Sequence, residues 1–377
     1  MSRPTTQELS RIKTRLLILS DTHGLGFPED MQSRPSADVA IHCGDLTEHS
    51  KLDGFQETFK MMRDIDAPLK LVIAGNHDFS LDIPVFKQKI TEAEFISRES
   101  LTENVQKEFG KYGAAGKILH QVKDDGIIFL GEGSHTFQLQ NGSTLKVYAS
   151  PYTPSAGGEW GFQYRDGHNF DIEKGTDIVI THGPPHGIMD MSNKKRIGCP
   201  DLFAAVAKAQ PKVHCFGHVH SGWGAKLATW RPHISDKPSH FSDIDNGKSK
   251  VLESVASLQG SSFESAEDKK ARQQKLQRYQ SQGSCNTSHC RDDEDPIQPG
   301  QTLFVNAAIK SDDGLSQLPW LVDIDLEPHA TKKINPCCYA MYGIEKENKR
   351  KRNTDPPETE QGGERQKRVH MIKIHDP

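Results

Sequence analysis

The amino-acid sequence predicts an α/β fold in which short buried strands alternate with amphipathic helices. Short apolar runs such as Leu69–Ala74 recur along the chain, and segments with apolar residues at helical spacing lie between them. Polar residues that can bind metal ions follow five of these runs directly. Because α/β proteins place their chemistry at the carboxyl ends of strands, these five strand ends predict one functional site.

The composition is that of a soluble protein with one sizeable core. The 377 residues include 34% hydrophobic and 26% charged residues, and the formal net charge is -4. Chains of this length often form one α/β domain in which insertions make up the length. The near-neutral charge gives no argument for binding nucleic acid, and no apolar run is long enough for a membrane span. We also expect no signal peptide, because residues 1–15 are polar and basic.

The first third of the chain alternates strand and helix. Strands are predicted near residues 15–20, 38–43 and 69–74. The helix between them spans residues 52–66, where apolar side chains at helical spacing predict a buried face. These side chains are Phe55, Phe59, Met62 and Ile65. Residues 82–108 have a mixed pattern that predicts further helix on the outer face, as a lid or a flank.

The middle of the chain predicts strands, an aromatic loop and one more helix. Residues 126–149 predict three strands, of which the last two are joined by a strong hairpin signal at Asn141-Gly142. The next loop is rich in glycine and aromatic residues, and such loops commonly carry specificity. We expect some of its side chains to face a substrate, the alternative being that they pack on one another. The candidates are Tyr152, Trp160, Tyr164 and Arg165. A helix at 199–210 and a strand at 222–230 follow.

A polar segment interrupts the last third of the chain. Residues from about 232 to 300 are rich in Ser, Gln, Asp and Lys and contain few large apolar side chains. Such a composition cannot offset the entropy of ordering, so we expect a disordered insert that a short linker could replace without loss of stability. Strands at 302–307 and 320–324 are expected to close a second sheet. We therefore expect one domain over residues 14–343 and a charged, disordered tail over 344–377.

The cysteine count and the tail bear on the cellular location. Seven cysteines, an odd number, fit reduced thiols in the cytosol or nucleus better than a disulfide framework. We expect a cytoplasmic location. Two basic clusters in the tail, Lys349–Arg352 and Arg365–Arg368, leave a nuclear one open. Cys285, His289 and Cys290 could form half of a zinc site, as could Cys337-Cys338, but the spacings do not complete a regular four-ligand pattern.

The five strand ends carry the residues that point to chemistry. They are Asp21-Thr22-His23, Gly44-Asp45, Gly75-Asn76-His77-Asp78, His182-Gly183-Pro184-Pro185 and Gly217-His218-Val219-His220. Any one of them is weak evidence, because Gly-Asn is common turn chemistry and a lone histidine is more often a core residue. All five in this order are hard to explain without a shared metal site. Residues two apart in an extended chain point the same way, so two of these motifs can each present both polar side chains to one site.

In this order the motifs resemble the calcineurin-like metallophosphoesterase superfamily. The Thr-His-Gly-Pro-Pro and Gly-His-Val-His segments are most similar to its small metallophosphoesterase-domain branch. The loop Gly44–Glu48 lacks the tyrosine of purple acid phosphatases and the Gly-Asp-x-Val-Asp-Arg-Gly pattern of Ser/Thr protein phosphatases. The resemblance covers residues 14–324 apart from the polar insert. It implies a four-layer αββα sandwich of two mixed β-sheets flanked by helices.

The resemblance also implies a site for two divalent metal ions. Asp21, His23, Asp45 and His220 are the implied ligands of the first ion. Asp45, Asn76, His182 and His218 are the implied ligands of the second ion. Asp45 would bridge the two ions and offset their mutual repulsion. We expect Mn²⁺, with Fe, Zn or Mg as alternatives.

The implied activity is hydrolysis of a phosphodiester or a phosphomonoester. A hydroxide that bridges the two metals would attack phosphorus in a small phosphate-ester substrate. His77 is the implied donor of the proton that the leaving group needs, and Asp78 is expected to orient the His77 imidazole. His42 and His186 lie near ligands in sequence and are expected either to support those ligands from behind or to be structural. The alternative function is a non-catalytic binding scaffold on the same fold, which usually shows through a lost ligand, and no ligand is lost here.

Overall fold

The structure is a computed structural model that describes residues 11–27, 35–98, 102–155, 157, 160–261, 263–311 and 314–329. The helices in chain order are α1 (Leu52–Arg63), α2 (Ile83–Ser97), α3 (Thr102–Phe109), α4 (Ala114–Gln121), α5 (Pro200–Ala209), α6 (Val255–Gln259) and α7 (Ala266–Gln282). The strands are β1 (Ile12–Leu19), β2 (Val39–His42), β3 (Leu69–Val72), β4 (Ile127–Phe129), β5 (Gly133–Gln138), β6 (Ser143–Ser150), β7 (Thr153–Pro154), β8 (Gln163–Tyr164), β9 (Ile178–Thr181), β10 (Met191–Ser192), β11 (Lys195–Arg196), β12 (Val213–Phe216), β13 (Gly224–Thr229), β14 (Lys250–Ser254), β15 (Cys285–Ser288), β16 (Gln301–Asn306), β17 (Lys310–Ser311), β18 (Gly314–Leu315) and β19 (Trp320–Pro328).

Thirteen of these strands form two sheets that are joined at one corner. The first sheet has the order β15-β19-β1-β2-β3-β4, and the second has the order β14-β13-β16-β12-β9-β6-β5. They meet where Glu327 and Pro328 of β19 pair with Thr144 and Ser143 of β6. The central strands of each sheet run parallel. The carboxyl ends of β1, β2 and β3 therefore lie along one edge of the first sheet, and those of β9 and β12 lie along one edge of the second.

Three apolar cores separate the layers. Leu16 and Ile18 of β1 pack between the two sheets with residues of β9 and β12. Their neighbours Leu17 and Leu19 face the other way and pack against α1, because successive side chains of a strand point to opposite faces. A third core lies between the second sheet and α5, around Phe203. Helix, sheet, sheet and helix thus form four layers, and the predicted fold class is confirmed.

Most of the predicted elements are confirmed. Helix α1 buries Phe55, Phe59 and Met62, as its apolar spacing predicts. Helix α2 begins after Asp82, whose side chain accepts a hydrogen bond from the backbone N–H of Val85. The hairpin of β5 and β6 forms around the predicted turn. Within the described ranges, every helix is too short or too polar to cross a lipid bilayer.

The predicted disorder between about 232 and 300 is wrong. Strand β14 extends the second sheet along β13, and β15 extends the first sheet along β19. Three side chains anchor the segment, since Ile244 is 0%, Tyr279 8% and Cys285 1% exposed. A few buried anchors and two strand pairings are enough to offset the ordering entropy of a polar segment, although its average composition does not reveal them.

The other boundaries stay predictions. The tail over residues 344–377, with its two basic clusters, lies outside the described residues, as does Cys337-Cys338. The described part of the domain ends at residue 329, one residue after β19.

Candidate metal centre

The loops after five parallel strands are hydrogen-bonded to one another. The backbone N–H of Asp21 donates to the carbonyl of Gly44, at 3.0 Å, and that of His23 donates to the carbonyl of Asp45, also at 3.0 Å. Between the sheets, the backbone N–H of His218 lies 3.0 Å from each carboxylate oxygen of Asp21. These contacts bring the polar side chains of both sheets to one place, as the strand ends predict.

One group of ligand-type side chains consists of Asp21, His23 and His220. Nε2 of His220 lies 3.3 Å from Oδ1 of Asp21 and 3.4 Å from Nε2 of His23. The candidate ligand atoms of the three side chains all lie within 4.8 Å of one another. An ion between them would be bound by one carboxylate and two imidazoles.

A second group consists of Asp45, His182 and His218, whose candidate ligand atoms are equally close. Nε2 of His182 lies 3.3 Å from Oδ1 of Asp45. Oδ1 of Asn76 is 2.9 Å from the same nitrogen, so the amide joins this group. The rings of His182 and His218 have centroids 5.0 Å apart.

The Asp45 carboxylate lies between the two groups. Its Oδ1 faces His182, and its Oδ2 lies 3.7 Å from Nε2 of His23. The backbone N–H of His77 also donates to Oδ1, at 2.9 Å, and holds the carboxylate in this orientation. With one oxygen toward each group, the carboxylate is placed where two ions could share it.

The surroundings of His182 test whether these residues fit a cation. Its Nδ1 lies 2.9 Å from the carbonyl oxygen of Cys43, which can only accept, so Nδ1 carries the hydrogen. In the neutral ring, Nε2 then directs a lone pair at the oxygens of Asn76 and Asp45. Three acceptors that converge in a buried place are unfavourable unless a positive charge lies among them. The residues present therefore fit a metal ion.

The pKa values of two buried groups also show that this place favours positive charge. Burial opposes the charged form of His182, but the carboxylates of Asp45 and Asp21 outweigh it and raise the pKa of His182 to about 9. Nε2 of His182 therefore attracts a proton among these acceptors, and a bound metal ion would displace that proton. Burial would raise the pKa of Asp45, yet the nearby His182, His77 and His23 hold it well below the usual range. Burial lowers the pKa of His218 to about 4, so this ring is neutral at neutral pH, as a ligand must be.

The backbone of the site is strained. Asp21, His23, Asp45 and His218 all have left-handed backbones, with φ of 57°, 50°, 52° and 65°. Each such residue costs of order 1 kcal/mol, and strain of this kind collects at functional sites. Glycine is required beside two of them: a Cβ at Gly75 would lie 2.2 Å from Oδ1 of Asp45, and one at Gly217 would lie 2.0 Å from Oδ2 of Asp21.

His77 lies beside both groups. Its Nδ1 lies 2.7 Å from the carbonyl oxygen of Glu48 and donates to it, which leaves Nε2 free. Its ring meets the ring of His23 edge-on, with centroids 4.8 Å apart. The candidate ligand atoms of His23, Asp45 and His77 also lie within 4.8 Å of one another. The position of His77 thus suits either a proton donor at the reacting groups or an additional ligand.

The expected contact between Asp78 and the His77 imidazole is wrong. The buried Asp78 carboxylate accepts hydrogen bonds from the backbone N–H groups of Leu46, Thr47 and Gly75, at 3.0, 3.0 and 2.8 Å. The hydroxyl of Thr47 donates to it as well. Both oxygens are therefore occupied in holding the loop that carries Asp45 against the turn after β3. Burial raises the pKa of Asp78 to about 7, and these donors act against that rise.

Two charged residues at the site were not predicted. Oε2 of Glu48 lies 3.1 Å from Nδ1 of His23, and the ammonium of Lys310 pairs with the same carboxylate. The contact with His23 is close enough for an ion pair, although the present orientation of the ring leaves Nδ1 without a hydrogen bond. Glu48 follows Asp45 closely in the same loop and could have been suspected. Lys310, in β17, carries no sequence signal.

Of the four candidate side chains in the aromatic loop, one reaches the site and three pack on neighbouring groups. Trp160 reaches the site and packs on the ring of His77, with centroids 4.1 Å apart. The other candidates contact their own surroundings: Tyr152 packs on His168, the hydroxyl of Tyr164 lies 2.8 Å from Sγ of Cys199, and Arg165 donates to the carbonyl of Gly157.

The remaining histidines and cysteines lie outside the two groups. Nε2 of His42 lies 2.9 Å from the hydroxyl of Thr22, and burial lowers the pKa of His42 to about 3, which fits a structural role. Nδ1 of His186 lies 3.2 Å from the carbonyl of Gly198. Over the part of the chain that the structure describes, none of the groups of metal-type ligands includes Cys285, His289 or Cys290.

Comparisons with known proteins agree with the motifs. The family model described as calcineurin-like phosphoesterase matches residues 14–222, more than half of the chain. Metallophosphoesterase domain-containing protein 1 of Homo sapiens and that of Mus musculus are each 30% identical over 223 residues, which cover 56% of this chain and 62% of the relative. A UPF0046 protein of Caenorhabditis elegans is 28% identical over 221 residues, which cover 56% of this chain and 52% of the relative. The chain thus spans less than two thirds of the length of these relatives.

Proposed function

The chain belongs to the calcineurin-like phosphoesterase family, and from this premise we propose that it is a dinuclear metal-dependent enzyme that hydrolyses a phosphodiester or a phosphomonoester. The observation that supports the proposal most strongly is the position of Asp45, whose two carboxylate oxygens face different groups of ligand-type side chains. A site for a single ion would not need a carboxylate shared in this way.

The chain's own residues would hold two ions. Asp21, His23, Asp45 and His220 would hold one, and Asp45, Asn76, His182 and His218 would hold the other. Mixed carboxylate and imidazole ligands suit several divalent metals, and we propose Mn²⁺ with Fe, Zn or Mg as alternatives. Ions bound there would hold the phosphoryl oxygens and activate water as the nucleophile.

The remaining site residues would handle the proton and the geometry. His77 would carry a proton on Nε2 and deliver it to the leaving-group oxygen, because its Nδ1 is already committed to the carbonyl of Glu48. Asp78 would act indirectly, by fixing the loop that carries Asp45. After a small reorientation of the His23 ring, Glu48 would accept the hydrogen on Nδ1 of His23, 3.1 Å away, and so direct Nε2 of His23 toward the ions.

The substrate and the location are also proposals. We propose a small phosphate ester as substrate and no membrane as partner, and the net charge of -4 gives no clear signature of nucleic-acid binding. A cytoplasmic location, with a nuclear one left open, accords with the odd number of cysteines. A scaffold without activity is the less favoured function, since all seven ligand-type residues are present and converge.

The test uses the full chain after its metals have been stripped. The protein is resupplied in turn with Mn²⁺, Fe²⁺, Zn²⁺ and Mg²⁺ and assayed against a panel of diesters and a panel of monoesters. We expect two ions per chain by elemental analysis and restored hydrolysis with at least one metal. Two bound ions without turnover of any ester would favour the scaffold, whereas failure to bind a second ion would contradict the role of Asp45.

A further inference from the structure

The loop between β7 and β8 places an aromatic ring directly on His77. The indole of Trp160 and the imidazole of His77 have centroids 4.1 Å apart and planes 32° from parallel. The two residues lie far apart in sequence, and Trp160 belongs to neither group of ligand-type side chains. The contact therefore needs an explanation beyond metal binding.

The loop backbone is fastened to the segment that carries His77. The N–H of Gly161 donates to the carbonyl of Asn76, at 3.0 Å, and the N–H of Phe162 donates to Oδ2 of Asp82, at 2.9 Å. A Cβ at Gly161 would lie 2.7 Å from Cα of Phe79, so the two backbones are in direct contact. Trp160 is thus held over His77 by its own neighbours in sequence.

The indole supplies the restraint that the other contacts of His77 leave out. The hydrogen bond from Nδ1 to the carbonyl of Glu48 fixes one ring atom but still allows the ring to pivot about that bond. The edge contact with His23 limits the pivot from one direction. The indole lies against the face of the imidazole at 32° to it and limits the pivot on that side, because further tilting would bring the imidazole into the indole.

A cation adjoins the same aromatic surface. The ammonium of Lys89 lies 5.2 Å from the centroid of the Trp160 ring and 4.9 Å from that of Phe79. Aromatic faces attract cations at such distances. This contact gives the indole a further partner in α2, so the orientation of Trp160 does not depend on His77.

Resting on the proposed phosphoesterase function, we propose that Trp160 is a positioning residue that holds the His77 imidazole with Nε2 facing the leaving-group oxygen. A proton donor that is misplaced by about 1 Å can lose on the order of 100-fold in rate. Only the step that needs the proton should suffer, so the loss should appear in kcat and depend on the leaving group.

The kinetic test compares Trp160→Ala and Trp160→Phe on an alkyl phosphodiester and on a bis-nitrophenyl diester. We expect Trp160→Ala to lower kcat about 10- to 100-fold on the alkyl ester and less than about threefold on the nitrophenyl ester, with two metals retained. Trp160→Phe should recover most of the loss because it keeps an aromatic ring against the imidazole. The control Phe109→Leu alters a ring that contacts Phe79 and Phe86, and it should match the wild type.

A double variant separates positioning from an independent effect. Trp160→Ala should cost little more in a His77→Ala background, since the residue that it positions is already gone. Equal losses on both esters, or losses that multiply in the double variant, would overturn the proposal.

A nitrogen NMR measurement of the imidazoles does not depend on turnover. The His77 signals, assigned by their absence in His77→Gln, should form one narrow set in the wild type and should broaden or multiply in Trp160→Ala, because the ring is then free to pivot. The same narrow set in both proteins would overturn the positioning role. If neither diester is hydrolysed with any metal, the proposed function fails, and the NMR measurement still decides the role of Trp160.

Discussion

Replacing Glu48 by glutamine should weaken the binding of one of the two proposed metal ions and spare the other. The Glu48 carboxylate lies 3.1 Å from Nδ1 of His23, and Lys310 pairs with it from the other side. His23 and Lys310 hold the pKa of Glu48 below its usual range, so the carboxylate is charged at neutral pH. A carboxylate behind a ligating imidazole fixes the tautomer of the ring and makes it a better donor.

The expected loss of metal affinity depends on how exposed the Glu48–Lys310 pair is. Losing such an outer partner typically costs about 10- to 100-fold in metal affinity. The side chain of Glu48 is 40% exposed and that of Lys310 is 24% exposed, so water and salt screen the interaction. We therefore expect the low end, about tenfold or about 1.4 kcal/mol. The second ion should be spared because His182 is oriented by the carbonyl of Cys43.

The assay is a titration of metal-stripped protein with Mn²⁺ against a chelator of known affinity. Glu48→Gln keeps the shape of the side chain, so its loss reports the charge, and the loss should shrink at high salt. The control Glu57→Gln removes an exposed carboxylate of α1 that pairs with Lys60. The reasoning is refuted if Glu48→Gln binds both ions like the wild type, or if Glu57→Gln loses as much.

Three further predictions concern the bridge, the proton donor and the polar segment. Asp45→Asn should abolish turnover and lower the metal content below two per chain, more completely than His218→Ala, because it removes the charge that both ions share; two bound metals with near-full turnover would contradict this assignment. His77→Ala should keep both metals and lower kcat on an alkyl diester at least about tenfold more than on a bis-nitrophenyl diester, whereas equal losses would indicate electrostatic stabilisation of the phosphoryl group. Replacing residues 239–295 with a Gly/Ser linker should cost several kcal/mol of folding free energy and lower the thermal midpoint, because two strands and three buried side chains are lost at about 1.5–3 kcal/mol for each large apolar side chain. The control Phe263→Ser alters a side chain of that segment that is 96% exposed and should leave the thermal midpoint unchanged. If the linker replacement also leaves the midpoint unchanged, the segment does not contribute to stability.

The layers of the fold could be predicted because the sequence pattern is local. Leu16–Leu19 form a continuous apolar run that is buried on both faces, which is typical of a parallel strand covered on each side. The polar segment could not be predicted in the same way. Ile244, Tyr279 and Cys285 are single buried residues among many exposed ones, and the strand pairings that they support join distant parts of the chain. Composition averages over such anchors and therefore indicates disorder where a few contacts suffice.

The ligand-type residues of the site could be predicted because parallel strands bring their carboxyl ends together, whereas the orientation of His77 could not. Asp78 directly follows His77, yet the N–H of Asp78 donates to the carbonyl of Gly75 and its carboxylate accepts from the N–H of Gly75. This turn directs Asp78 back into the protein and His77 outward. The contacts that then orient the imidazole come from a backbone carbonyl, at Glu48, and from Trp160 on a separate loop. A backbone carbonyl has no sequence signature, and no spacing rule relates residue 160 to residue 77, so only the three-dimensional structure could identify them.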